Sequence, residues 1–196
     1  MISVPTEIDG IEVRGIETMG GREVNDVFFS DCQVSAERLI GRQDQGWMQL
    51  MAGLNHERLI IAAQALGMAQ RAFEDLLAYV KERKQFGRPI GSFQSLKHRI
   101  ADLATELEAT RLLVYDTAAR VDASPGALFP REASMAKLKA TETAKRTALE
   151  GMQMMGGYGY AVEYDMEHQV RVALVTTIYG GTSEIQREII ARTLGL

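Results

Sequence analysis

The chain has 196 residues, 46% of them hydrophobic and 24% charged, a balance that excludes a disordered tail, a collagen-like repeat and a charge-dominated linker. Lys and Arg number 22 against 26 Asp and Glu, a net charge of −4 that leaves no electrostatic footprint for nucleic acid or an anionic membrane surface. A single cysteine, Cys32, excludes an internal disulfide and suits a reducing compartment, and His56, His98 and His168 are too scattered for a zinc cluster. The longest uninterrupted apolar run, Leu59–Ala63, is far short of a membrane span, and Met1–Thr6 does not resemble a signal or transit peptide. A cytoplasmic protein with no metal site is expected.

In chain order, two textures divide near Gly46. Ile11–Ile16 alternates apolar with polar or small residues, as a strand with one buried face does. Val24–Val34, centred on Val27-Phe28-Phe29, reads as a second strand after a turn at Gly20-Gly21, with a break or bulge at Asp31-Cys32. Two or three strands in 45 residues are too few for a stable sheet, so this segment is expected to need strands from elsewhere. Beyond Gly46 the period becomes 3.6. Leu50, Leu54, Ile61, Ala65, Met68, Ala72, Leu76 and Val80 predict one helix from about Trp47 to Arg83, roughly 55 Å long. Gln85–Gly91 ends it. Ser92 then offers an N-cap to a second helix, whose stripe runs from Leu96 through Leu103, Leu107 and Val114 to Val121. Ala123–Gly126 breaks that helix. A third runs from Pro130 to Met155 and stops at Gly156-Gly157. A short helix over about Glu163–Val172 and a last one over Ser183–Leu194 follow, with Ser183–Gln186 in capping-box order. The fold class is mainly α: an antiparallel four-helix bundle over 46–196, preceded by an incomplete β-segment over 1–45. A 55 Å helix is longer than such a domain can cover, which predicts burial against another subunit or domain.

Four motifs then fall in order. Gln153–Tyr160 and Ile178–Arg187 resemble the C-terminal signatures of the acyl-CoA dehydrogenase family. Arg83–Gly87 followed by Phe93-Gln94 is similar to the family's motif between the first two C-terminal helices. Gly20-Gly21-Arg22, the Phe28-Phe29 strand and Gly41–Trp47 resemble the end of its middle β-barrel domain. The resemblance covers the whole chain but only the last part of the family's architecture, so a fragment, or a second chain supplying the N-terminal domains, is expected.

The resemblance implies FAD. Gln153, Gly156 and Gly157 match positions against its adenine end from a neighbouring subunit, and Arg83 a position against its pyrophosphate. Phe86 and Gln94 match other cofactor contacts, and Thr182 and Glu184 positions near the flavin. On residues alone these have plainer readings: Gly156–Gly159 as a helix end and turn, Arg83 as a cationic helix terminus, Glu184 as an acidic first turn. The family removes a proton from the α-carbon of an acyl-CoA while hydride leaves the β-carbon, so a carboxylate must be held there. In many members it sits in the last loop. Here that position is Gly180. A second arrangement, as in isovaleryl- and long-chain-type members, places the base on the first bundle helix before an arginine, and this chain has Glu57-Arg58 there. Glu57 by itself could be an exposed helix residue in an ion pair; with Gly180 it becomes the candidate base, Arg58 balances charge, and Tyr179 lines the acyl-CoA cavity. A homo-oligomer, dimer or tetramer, and an electron-transfer flavoprotein as acceptor follow from the same resemblance. The alternatives are a non-catalytic, cofactor-completing subunit of a heteromeric flavoprotein, and a flavin oxidase or monooxygenase of the same superfamily.

Overall fold

The computed structural model describes residues 1–196, apart from the side chain of residue 52. The chain forms two compact units, residues 1–53 and 54–196.

In the first unit, β1 (Ile11–Thr18) and β2 (Gly21–Phe29) pair antiparallel, with an irregularity between Ile16 and Thr18. Ile11 faces Phe29 and Val13 faces Val27, so the period of two gathers four apolar side chains on one face of the hairpin. The turn falls at Met19-Gly20, one residue before the expected Gly20-Gly21, and Gly21 opens β2 at φ 108°. β2 stops at Phe29 rather than Val34, because Asp31 takes a φ of 52°, a left-handed conformation through which a ladder cannot continue. A 3₁₀ turn at Ala36–Arg38 follows, and Ile2 bridges Leu39 beyond it.

The helix α1 (Gly46–Glu82) starts in the first unit and continues into the second. In the second unit its buried apolar positions are Ile61, Ala62, Ala65, Leu66, Ala69, Ala72, Leu76 and Val80, the three-and-four spacing of a helix with one covered face. Two short strands, β3 (Lys84–Gln85) and β4 (Arg88–Pro89), reverse the chain. α2 (Gln94–Ala123) does not use Ser92 as its N-cap: Ser92 closes a 3₁₀ turn over Ile90–Ser92, and Phe93 stands at the cap without a side-chain hydrogen bond. α3 (Pro130–Met155) has its proline in the first turn, where the missing N–H costs nothing.

After the short α4 (Gly157–Tyr160) the next helix, α5, runs Met166–Thr176 rather than Glu163–Val172. Asp165, at φ 59°, separates it from a 3₁₀ turn at Val162–Tyr164. α6 (Ser183–Thr193) is capped by Thr182, whose Oγ1 accepts from the Ile185 amide at 3.4 Å, so the cap lies one residue before the serine that the sequence pattern favoured.

The four long or core-forming helices α1, α2, α3 and α5 share one hydrophobic core, and α3 is its hub, touching α2, α5 and α6. Its inward face is built from small residues, Ala133, Ala136, Ala140, Ala144 and Ala148, which allow neighbouring helices close approach. Threonines between them are buried with their hydroxyls satisfied: Thr141 and Thr147 donate to carbonyls one turn back at 2.9 and 2.8 Å, and Thr143 pairs with Thr110 of α2 at 3.0 Å. Large side chains fill what remains, Leu76 and Leu103 among them, both essentially without exposure. Leu76→Ala should therefore leave a cavity the rigid alanine face cannot close, lowering unfolding free energy by about 2–5 kcal/mol in chemical denaturation; a loss below about 1 kcal/mol would show that α1 is not packed as described.

Candidate functional site

Two regions of the second unit bring the sequence-predicted residues together, one toward each end of α1. The first is built from α1 and the loop before α6. Gly180 and Gly181 both lie in the left-handed region, at φ 62° and 86°. The Gly180 backbone lies so near α1 that a Cβ built on it would come within 2.3 Å of Ile61 Cδ1 and 3.8 Å of Glu57 Oε1. Glycine suits the position on two counts: the left-handed φ disfavours a side chain, and a Cβ would have to displace the Ile61 terminal methyl. The Glu57 carboxylate thus occupies space that a side chain at position 180 would otherwise reach.

Around this contact, Glu57 and His56 are exposed while Asn55 and Arg58 are buried, a split produced by the helical rotation between neighbouring positions. Burial pushes the Arg58 guanidinium below its ordinary value, and the Glu57 carboxylate works in the opposite sense. Arg58 Nε has no hydrogen-bond partner among the described residues. Thr182 caps α6. Glu184 is exposed, and its pKa is lowered by hydrogen bonds from its own backbone amide and from Thr182, with Arg187 adding a pair at 3.5 Å. Tyr179 is exposed at 37%.

Beneath the loop lies a set of side chains that sequence reasoning missed. Lys137 of α3, fully buried, donates from Nζ to the Gly181 carbonyl at 2.8 Å. Gln186 of α6, also fully buried, donates from Nε2 to the carbonyls of Gly181 and Gly180 at 2.9 and 3.1 Å. Ser183 Oγ donates to Glu142 at 2.7 Å, and Lys145 pairs with the same carboxylate at 2.6 Å. One signal for Lys137 was present in the sequence: it stands four residues after Ala133 and three before Ala140, on the face that α3 buries.

The second region is a cavity of about 760 Å³ where α1, the β3–β4 turn, α2 and the α3–α4 junction meet. Arg83, Phe86, Gly156 and Gly157 all line it. Gln94 and Gln153 do not, although each neighbours a residue that does; Gln94 is exposed and lies 3.4 Å from His98 Nε2, and Gln153 is exposed. The Arg83 guanidinium stacks over the Tyr158 ring at 5.1 Å, and Tyr158 packs against Tyr79 and Tyr164 with centroids 6.2 and 5.0 Å away. Burial raises the Tyr79 pKa, with the Arg83 charge opposing it. Phe86 is 91% exposed at φ 50°, held edge-on to Phe93 at 6.1 Å. An aromatic residue this exposed takes no part in the core. Gly156 and Gly157 have nothing within 4 Å of a Cβ position, so their backbone is open to a ligand. Along α1 the two regions are separated by the rise from residue 57 to 83, about 39 Å.

Among the described residues, no group of three or more His, Cys, Asp or Glu side chains could hold a metal ion, and no helix is long and apolar enough to cross a membrane.

The family model described as acyl-CoA dehydrogenase, C-terminal domain, matches residues 44–195. An acyl-CoA dehydrogenase of Bacillus subtilis is 44% identical over 174 residues, covering 89% of this chain and 45% of its own length. A caffeyl-CoA reductase–Etf complex subunit of Acetobacterium woodii is 41% identical over 174 residues, with the same coverages of 89% and 45%. The crystal structure of an acyl-CoA dehydrogenase from Geobacillus kaustophilus superposes with a TM-score of 0.95 at 37% identity, covering 100% of this chain and 52% of that one. The chain spans about half the length of these relatives.

The loop's anchorage has a pH signature. Burial pushes Glu142 up, but the hydrogen bonds from Lys145 and Ser183 outweigh it and leave the carboxyl below its ordinary 4.5. A carboxyl whose folded pKa is depressed stabilises above its unfolded pKa and loses that contribution as pH falls through the folded one. Glu142→Gln should accordingly lower the thermal midpoint at pH 7, and the gap to the parent should close as pH is taken below about 4. A gap that stays constant with pH would mean that charge plays no part in holding this loop.

Proposed function

We propose, for a chain that belongs to the acyl-CoA dehydrogenase family through that family's C-terminal domain, that it is the C-terminal half of an FAD-dependent enzyme taking an acyl-CoA to the trans-2-enoyl-CoA, with Glu57 as the base at the α-carbon. One observation carries this reading: Glu57 Oε1 lies 3.8 Å from where a Cβ on Gly180 would be. A glutamate in the loop and a glutamate on α1 would therefore deliver their carboxylates to one place, and this chain has only the second. A glutamate on a solvated helix face elsewhere would give no such coincidence.

The residues present fit FAD. Arg83 at the cavity offers a guanidinium whose fork suits a diphosphate, and Tyr158 stacked on it limits its freedom. The bare backbone of Gly156 and Gly157 admits close approach, and Phe86 offers an exposed face for a ring. Gln94 and Gln153, at the cavity's margin, would reach the same molecule only from its rim. Thr182 and Glu184 would stand near the flavin at the other region. When bound, FAD supplies the hydride acceptor.

The chain's own part is proton chemistry and positioning. A Glu57 carboxylate oxygen takes the α-proton, and Arg58, the next residue along α1, would balance charge beside it. Tyr179, next to the Gly180 contact, would line the acyl-CoA site. The two regions lie about 39 Å apart along α1, farther than an extended flavin dinucleotide reaches. One copy would then hold the adenine and diphosphate of the FAD whose flavin serves the base of another copy, in a homodimer or tetramer. Residues 1–45 would be the end of a β-domain, and residues 46–196 the bundle. The named association of the Acetobacterium relative with an Etf complex supports an electron-transfer flavoprotein as acceptor. A second reading, a cofactor-completing subunit in a heteromer, is favoured by that same relative being named a subunit of a complex.

In the assembled flavoprotein, Glu57→Gln keeps shape and hydrogen bonding but removes the base. Flavin bleaching by acyl-CoA under anaerobic conditions should slow by about 100- to 10,000-fold with flavin content unchanged. Bleaching at the parent rate would sink the assignment of Glu57 and leave the second reading standing.

A further inference from the structure

We infer that Lys137 is a positioning residue for the base: together with Gln186 it grips the Gly181 carbonyl and so keeps the Gly180 backbone against α1 beside Glu57. This rests on the reading of Glu57 as the base.

The Gly180–Gly181 segment cannot hold itself in place. Two consecutive left-handed glycines have the widest backbone freedom of any pair, and neither carries a side chain to pack. What fixes them comes from outside: two donors on the Gly181 carbonyl, Lys137 Nζ at 2.8 Å and Gln186 Nε2 at 2.9 Å, and one on the Gly180 carbonyl, Gln186 Nε2 at 3.1 Å. The three bonds converge from α3 and α6, so the loop is tied to both.

Lys137 has no packing reason to be a lysine. It is fully buried on a helix face of Ala133, Ser134, Ala136, Ala140 and Thr141, where a methionine of similar length would fill the same space without desolvating an ammonium. Among the described residues it forms no ion pair that would offset that cost. Its recorded hydrogen bond goes to a neutral carbonyl, and a charged donor makes such a bond shorter and stronger than an amide could. Burial lowers the Lys137 pKa, the Glu142 charge opposes that shift, Arg58 adds to it and Glu184 opposes it. In either protonation state the amine still donates. A costly buried cation spent on one loop carbonyl marks the position of that carbonyl as what the residue secures.

The test is Lys137→Met in the flavin-loaded protein, with Gln186→Leu as a second variant that removes the other donor should the first fail to fold. Two readouts are taken: hydrogen exchange at the Ser183 amide, which donates to the Thr177 carbonyl at 3.0 Å, and steady-state turnover with acyl-CoA. Loss of a charge-assisted bond should speed Ser183 exchange by about tenfold or more while amides within α2 keep their protection. kcat should fall by about tenfold or more with KM and FAD content little changed, since geometry at the base is disturbed rather than binding. Unchanged Ser183 exchange overturns the proposal, and so does faster exchange with undiminished kcat. If the parent itself shows no acyl-CoA-dependent reduction, the reading of Glu57 fails on its own. Ser183 exchange then still decides whether Lys137 holds the loop.

Discussion

Everything at the Glu57 end of the bundle depends on how near the Gly180 backbone lies to α1. At 2.3 Å from Ile61 Cδ1, a methyl group at position 180 has no room unless the isoleucine moves, and a φ of 62° disfavours it further. Close contact of this kind makes the two positions alternatives. With the loop bare at this position, the Glu57 carboxylate has the space beside it. In the proposed reading, Gly180 is the counterpart of Glu57 rather than a missing part.

The same contact explains why buried polar groups gather behind the loop instead of in the core between α2 and α3. There, polar atoms are mostly threonine hydroxyls satisfied one turn back in their own helices, at small cost, with the Thr110–Thr143 pair the one such bond across the two helices described above. Behind the loop they are Lys137, Gln186 and Glu142, each reaching to another element. Local bonds leave a fold indifferent to what lies across from them, whereas bonds between elements fix the relative position of α3, α6 and the loop. The core could have been built from alanine and leucine alone. The loop could not be held that way, because an apolar neighbour has no grip on a glycine carbonyl.

Much of this was legible in the sequence, for reasons that differ by residue. The helices were, because Ile61, Ala65, Ala72, Leu76 and Val80 repeat at the period of a buried helical face. Glu57 as a candidate needed the resemblance, since a glutamate on a helix carries no signal by itself. Helix starts were less legible: Ser92 and Ser183 both look like caps, but capping is decided by backbone conformation at the neighbouring residue, and Phe93 and Thr182 hold those places. Left-handed Asp31 and Asp165, which end β2 and delay α5, are tolerated by aspartate without being demanded by it, so composition could not place them. Lys137 was hidden because a lysine on an otherwise small-residue face reads as an error in the periodicity until its acceptor, 44 residues away, is known.

The first unit poses the opposite problem, an apolar face with too little to cover it. In the β1–β2 register Ile11, Val13, Val27 and Phe29 share one side of the hairpin, and Val13, Val27 and Phe29 remain 50, 47 and 61% exposed. The opposite side mixes Glu12, Arg14 and Asp26 with Ile16, Val24 and Phe28, the Arg14 guanidinium lying over the Phe28 ring at 4.9 Å. A two-stranded hairpin is marginal in water, and the apolar side chains that this register gathers lie open to solvent, so two strands alone supply no core for this unit.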